Sequence, residues 1–81
     1  MVTKAQHARV YRHVPSFLRA VREQAGLTQR ALGARLAKPQ SYIYNCETAN
    51  RRVDVAEFIA WAEACGLKAE AAFRRFLKWR A

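Results

Sequence analysis

The stretch 27-LTQRALGARLAKPQSYIYNCE-47 reads as two short helices joined by a tight connection. Thr28 is a capping residue, because its hydroxyl can accept a free backbone N–H of an opening helical turn. Ala31, Leu32, Arg35 and Leu36 continue from it, with apolar residues at helical spacing. Ala37-Lys38-Pro39 interrupts that helix. Pro39 cannot lie inside the first helix but suits the first position of a second one, expected to run from Pro39 to about Cys46.

On a wheel of ~100° per residue the second helix divides cleanly. Ile43, Cys46 and Glu47 share one side, and Ser41, Tyr44, Asn45 and Thr48 the other, with Gln40 on the flank near the N-terminus. The first side is mostly apolar and can pack inward. The second is neutral-polar and aromatic, with no acid and no aliphatic residue. Amide and hydroxyl groups both donate and accept, so they can match base edges in a major groove. An ordinary solvated face would more usually carry Lys and Glu.

Charge agrees with that placement. The 81 residues carry 15 Lys/Arg against 6 Asp/Glu, a net +9. Residues 1–52 hold ten Lys/Arg and two acids, +8; residues 53–81 hold five and four, +1. A basic field speeds encounter with polyanions without giving sequence preference, and by itself it equally suits RNA or an anionic membrane. A chain this short is one domain. With 52% hydrophobic residues, three Gly and two Pro, a helical fold with few loops is expected. Cys46 and Cys65 stand at apolar helical positions and read as small buried hydrophobes. No Cys/His spacing suits zinc, and His7 and His13 have no acidic or Cys companion, so no metal or cofactor is expected. No apolar run approaches ~20 residues, and the first residues lack a hydrophobic segment, so neither a membrane span nor a signal peptide is expected and the cytoplasm is the default.

Ala25-Gly26-Leu27-Thr28-Gln29, Leu32, Leu36, Pro39-Gln40-Ser41-Tyr42-Ile43, Glu47, Arg51-Arg52-Val53-Asp54-Val55 and Glu57-Phe58 together resemble the helix-turn-helix of phage repressor and Cro proteins, the xenobiotic-response-element (XRE) type. The likeness covers about residues 17–67. It implies an all-α, five-helix, repressor-like DNA-binding domain. It also implies that Arg22, near the end of the first helix, pairs with Glu47 at the end of the reading helix, and that Gln29 touches a phosphate and steadies the first reading residue. The chain departs from the family pattern at four places. Gly33 stands where a small alanine is usual, Ala37 and Ala49 where glycine is usual, and Asn45 where lysine is frequent.

The rest of the chain fills in around this centre. Residues 1–14 form a basic lead-in, with Lys4, His7, Arg9, Arg12 and His13. It is either an arm reaching a neighbouring groove or phosphate, a frayed terminus, or helical in its later part; the domain proper is residues 15–81. A first helix starts at Val14-Pro15-Ser16 and ends near Gln24, with Gly26 supplying a left-handed terminus. Thr48 to Arg52 is a polar connection. Asp54 and Glu57 have capping-box spacing for a helix that runs to about Cys65. The last helix spans Lys68 to Arg80. Trp61 and Trp79 fall off the apolar stripes, and one small domain cannot easily cover Trp61, Phe73, Phe76 and Trp79 together, so these read as a dimer contact of residues 68–80 and the preceding helix; the alternatives are packing within the monomer and a basic amphipathic helix lying on a membrane.

The expected function is sequence-specific binding of double-stranded DNA by a dimeric transcriptional regulator that occupies an operator. Gln40, Ser41, Tyr44 and Asn45 are the candidate base-contacting residues. Gln29, Arg30, Lys38, Tyr42, Asn50, Arg51 and Arg52 are the candidate backbone contacts. Tyr42 lies against either the sugar–phosphate or the protein, Arg52 serves either a phosphate or the next helix, and Arg35 contacts the backbone or is solvated. The alternative is an antitoxin that binds a partner toxin and uses DNA binding for autoregulation. No Ser-His-Asp, Cys-His or paired-carboxylate arrangement has catalytic spacing, so an enzyme is not expected.

Overall fold

The computed structural model describes residues 9–79, and among these every regular element is helical. Five helices follow in order: α1 His13–Gln24, α2 Gln29–Leu36, α3 Gln40–Glu47, α4 Val55–Ala64 and α5 Ala69–Trp79. Residues 1–8 of the basic lead-in, like 80 and 81, lie outside the described part. Its later residues join the fold: 9–11 are helical, and the Tyr11 hydroxyl accepts the Val53 N–H at 2.8 Å.

The sequence signals act as the chemistry requires. Thr28 Oγ1 accepts the Ala31 N–H at 3.0 Å and starts α2. Asp54 Oδ1 accepts the Glu57 N–H at 2.8 Å while Glu57 Oε1 accepts the Asp54 N–H at 2.9 Å, a complete capping box on α4. At the end of α1, Gly26 takes φ 75°; its N–H reaches Glu23 O, and the Leu27 N–H reaches Arg22 O. This crossed pair satisfies carbonyls that the helix itself leaves open. Pro39 differs from expectation: it is the cap residue of α3, in extended backbone (ψ 158°), so α3 runs from Gln40 to Glu47. α1 opens at His13, and buried Pro15 sits in its first turn, where a missing N–H leaves no partner unsatisfied.

The core draws on every helix: Phe17, Leu18 and Val21 from α1, Leu32 from α2, Ile43 and Cys46 from α3, Phe58, Trp61 and Ala62 from α4, and Ala72 and Phe76 from α5. Fully burying one large apolar side chain contributes about 1.5–3 kcal/mol. Phe17 is the aromatic hub, stacked on Phe58 at 6.0 Å and edge-on to Phe76 at 5.4 Å. α3 packs on α1 and α2; α4 packs on α1, α2 and α5.

Trp61 corrects the sequence reading. It is completely buried, and its indole N–H donates to the Leu18 carbonyl at 3.1 Å. The stripe argument fails here because α4 has helices on three sides, so a residue beside its main stripe still meets a neighbour. Phe76, 8% exposed, is likewise covered within one chain. Neither is available for a dimer contact.

Candidate nucleic-acid interface

α3 is a rod with one face in the core and one in water. Ile43 and Cys46 are fully buried. Gln40, Ser41 and Tyr44 are exposed, and Asn45 is half-buried. The four candidate reading residues therefore share the accessible side of one short helix. The single carboxylate on α3, Glu47, is turned inward, with only 2% of its side chain exposed.

Glu47 anchors a hydrogen-bonded chain that ends on the reading face. Arg22 Nε donates to Glu47 Oε2 at 2.6 Å and Arg22 Nη2 to Glu47 Oε1 at 3.0 Å, a bidentate pair. Arg22 Nη1 also donates to the Leu27 carbonyl at 2.8 Å, joining the α1–α2 turn to the pair. Donating these hydrogen bonds to Glu47 holds the Arg22 guanidinium pKa above its ordinary value. Glu47 Oε1 further accepts from Gln29 Nε2 at 3.0 Å, and Gln29 Oε1 accepts from Gln40 Nε2 at 2.6 Å. Each amide orientation is dictated by the one before, because a carboxylate only accepts. Among the described residues nothing else engages the Gln40 amide, which leaves a carbonyl oxygen and one N–H, the acceptor–donor pair that complements the adenine edge.

Among the described residues the flanking cations divide into those with no carboxylate partner and one that has such a partner. Arg30 and Lys38 are exposed, with the Lys38 ammonium 5.2 Å from the Tyr42 ring centre. Asn50 is exposed and donates to Thr48 Oγ1 at 3.0 Å. Arg52 is exposed and lies 4.3 Å over the Tyr11 ring. Arg51 is engaged: its Nη2 pairs with Glu57 Oε2 at 2.8 Å, and its guanidinium sits 4.9 Å over Tyr42. The bond to the next helix considered for Arg52 thus belongs to Arg51. Of the two readings of Tyr42, the structure has the one against the protein, with its hydroxyl donating to Glu57 Oε2 at 3.2 Å. Arg35 takes neither of its expected roles; its Nη1 donates to the Ala64 carbonyl at 2.8 Å and caps α4.

Glu57 is the residue whose importance spacing alone understated. One carboxylate caps α4, pairs with Arg51 and accepts from Tyr42. The Arg51 pairing, then the Asp54 N–H, hold its pKa at about 2. Burial pushes the Tyr42 hydroxyl up to about 12. The capping role was visible as Asp54 and Glu57 three apart; the pairing to Arg51 depends on the path of the intervening loop.

The aromatic quartet does not form one patch. With Trp61 and Phe76 covered, Phe73 (40% exposed) and Trp79 (47%) remain. At ~100° per residue they lie on opposite flanks of the Ala72–Phe76 stripe. Phe73 shares its edge with Leu77, 52% exposed, while Trp79 turns toward α1 and packs edge-on to Phe17 at 5.9 Å. Among the described residues no cluster of His, Cys, Asp and Glu could hold a metal, and no helix is long and apolar enough to cross a membrane.

Residues 16–76 match the helix-turn-helix domain family. The fold is similar to a solved "XRE-family like protein" from Pseudomonas syringae pv. tomato str. DC3000, with TM-score 0.83 and 35% identity over 93% of this chain and 92% of that one. No curated protein sequence matches.

Proposed function

The chain belongs to the XRE-type helix-turn-helix family of DNA-binding transcriptional regulators, and from that premise we infer that it occupies an operator through α3 in the major groove. Gln40 reads an adenine with its free carbonyl and N–H. Asn45 is the second amide reader, and Ser41 and Tyr44 supply hydroxyl, ring or thymine-methyl contacts. The observation that carries this reading is the braced chain Arg22–Glu47–Gln29–Gln40, which ends in an oriented amide on an acid-free face. Gln29, Arg30, Lys38, Asn50 and Arg52 hold the backbone. Arg51 shares its charge with Glu57 and contributes less than a free arginine.

The regulator acts as a homodimer through the Phe73–Leu77 edge of α5. Glu70 and Arg74 flank these two apolar residues, so a twofold partner crossing antiparallel meets opposite charges, as a self-complementary contact needs. Two reading helices then lie ~34 Å apart on a near-palindromic site.

Selection of bound sequences from random duplex DNA tests the reading. Gln40→Ala and Asn45→Ala each relax preference at one or two base pairs, worth ~1–3 kcal/mol apiece. Arg30→Ala and Lys38→Ala weaken all duplexes alike and flatten the salt dependence. Identical behaviour of the two sets removes the division into readers and anchors.

A further inference from the structure

A groove between α1 and α5 is not used by anything described above. Its main hollow, about 330 Å³, is lined by Phe17, Ala20, Val21, Gln24, Arg75, Lys78 and Trp79. A second hollow of about 210 Å³ shares Val21, Gln24 and Arg75 and continues past Cys65, Gly66 and Leu67. None of these residues belongs to α2, α3 or the loop after α3. DNA on the reading face leaves the groove free, and so does a dimer through Phe73 and Leu77, on the other flank of α5.

The floor is apolar and the rim is cationic. Phe17 and Val21 form the base, and Trp79, half-exposed, forms one wall. Its indole N–H is already committed to Ser16 Oγ at 3.3 Å, so it offers a ring face and not a donor. Arg75 and Lys78 are exposed one turn apart on the same flank of α5, and neither pairs with a carboxylate among the described residues. No acid lines either hollow.

We propose that the α1–α5 groove docks an acidic amphipathic helix of a partner protein, with apolar side chains on Phe17, Val21 and Trp79 and carboxylates on Arg75 and Lys78. Charge decides between occupants. A second copy would bring the same two cations to the same rim, where like charges oppose association. The main hollow is a partly open groove and not an enclosed cavity, so it would cover only part of a small ligand, which a small-molecule site must largely enclose. A helix lying along the groove uses both hollows and matches apolar floor and basic rim together.

The test uses a synthetic helical peptide with Leu at i, i+4 and i+7 and Glu at the flanking positions, titrated into the full chain. Two readouts are followed: backbone amide NMR shifts, and acrylamide quenching of Trp79, which buried Trp61 does not obscure. The expected result is saturable binding below about 100 μM. Amide shifts centre on Phe17, Ala20, Gln24, Arg75 and Trp79, and Trp79 is shielded. The double variant Arg75→Glu/Lys78→Glu, checked for folding by circular dichroism, weakens binding at least about tenfold. Trp79→Ala weakens it independently of charge, and the base preference of the double variant on duplex DNA is unchanged. The proposal is overturned by no saturation by about 1 mM, by equal binding of a peptide with Lys in place of Glu, or by shifts centred on α3. Shielding of Trp79 by raising the protein concentration alone assigns the groove to a second copy and also overturns it.

Discussion

Ala37 and Ala49 hold left-handed backbone, at φ 55° and 64°, in the two turns that flank the reading helix. A Cβ in that region crowds the neighbouring carbonyl, at a cost of about 1–2 kcal/mol. Ala37 ends α2 with the same crossed bonds that Gly26 makes after α1: the Lys38 N–H reaches Gly33 O at 2.8 Å. Ala37→Gly and Ala49→Gly should each stabilise the fold by about 0.5–1 kcal/mol, the strain relieved less the extra freedom glycine gives the unfolded chain; urea unfolding checks this. Gly33 behaves in the opposite sense. A methyl group there would sit 2.7 Å from the Lys38 carbonyl oxygen. In an open helix Gly→Ala gains ~1 kcal/mol, but here the α2–α3 turn must move. Gly33→Ala should destabilise by about 1 kcal/mol or more, and an increase in melting temperature would contradict it. The departures from family pattern are thus linked: with alanine at 37, the chain still makes the tight turn, and glycine at 33 leaves room for it.

The elements are held in register by two carboxylates at the ends of α3 and α4. Glu47 ties α3 to α1 through Arg22, which is 8% exposed. Glu47→Ala leaves that guanidinium buried and unpaired, at about 3 kcal/mol. It also frees Gln29 and Gln40, so both melting temperature and DNA affinity should fall; loss of stability with unchanged affinity would show that the brace is not part of reading. Glu57 ties α4 to the loop after α3. Its pKa is lower folded than unfolded, so its contribution is fully present above pH 4.5 and is lost as pH falls toward 2. Wild type and Glu57→Gln should therefore differ most in stability near neutral pH and converge across that acid window. A constant difference would assign Glu57 a role independent of its charge. Because Arg51 serves this junction, Arg51→Ala should lower the melting temperature more than Arg30→Ala does.

At the scale of the molecule, α5 presents two unlike flanks. Phe73 and Leu77 form an exposed apolar edge with one acid and one base beside them; Trp79 stands over a groove whose charged lining residues, Arg75 and Lys78, are both cations. Phe73→Glu with Leu77→Glu should give a monomer in sedimentation equilibrium and lower operator affinity, while α3 stays folded. A dimer persisting in that variant would remove this edge as the contact. The residues expected to form one dimer patch instead divide between core, edge and groove. Phe76 completes the Phe17 cluster, which α1, α4 and α5 build together, and Trp61 is buried in the same core with its indole bonded to the Leu18 carbonyl of α1.

Local chemistry made much of this legible in the sequence. Thr28, Gly26 and the Asp54–Glu57 box mark helix ends, because each cap is satisfied within a few residues. The two sides of α3 follow from one helical period, and that placed Gln40, Ser41, Tyr44 and Asn45 on an accessible face. Sequence resemblance supplied the Arg22–Glu47 pair. Tertiary structure alone decided which cation meets Glu57, what Arg35 caps, and which aromatics remain in water. Those outcomes depend on where loops carry side chains and on how many helices surround α4. A period along one helix describes that helix's own faces; it does not count the neighbours that will cover them.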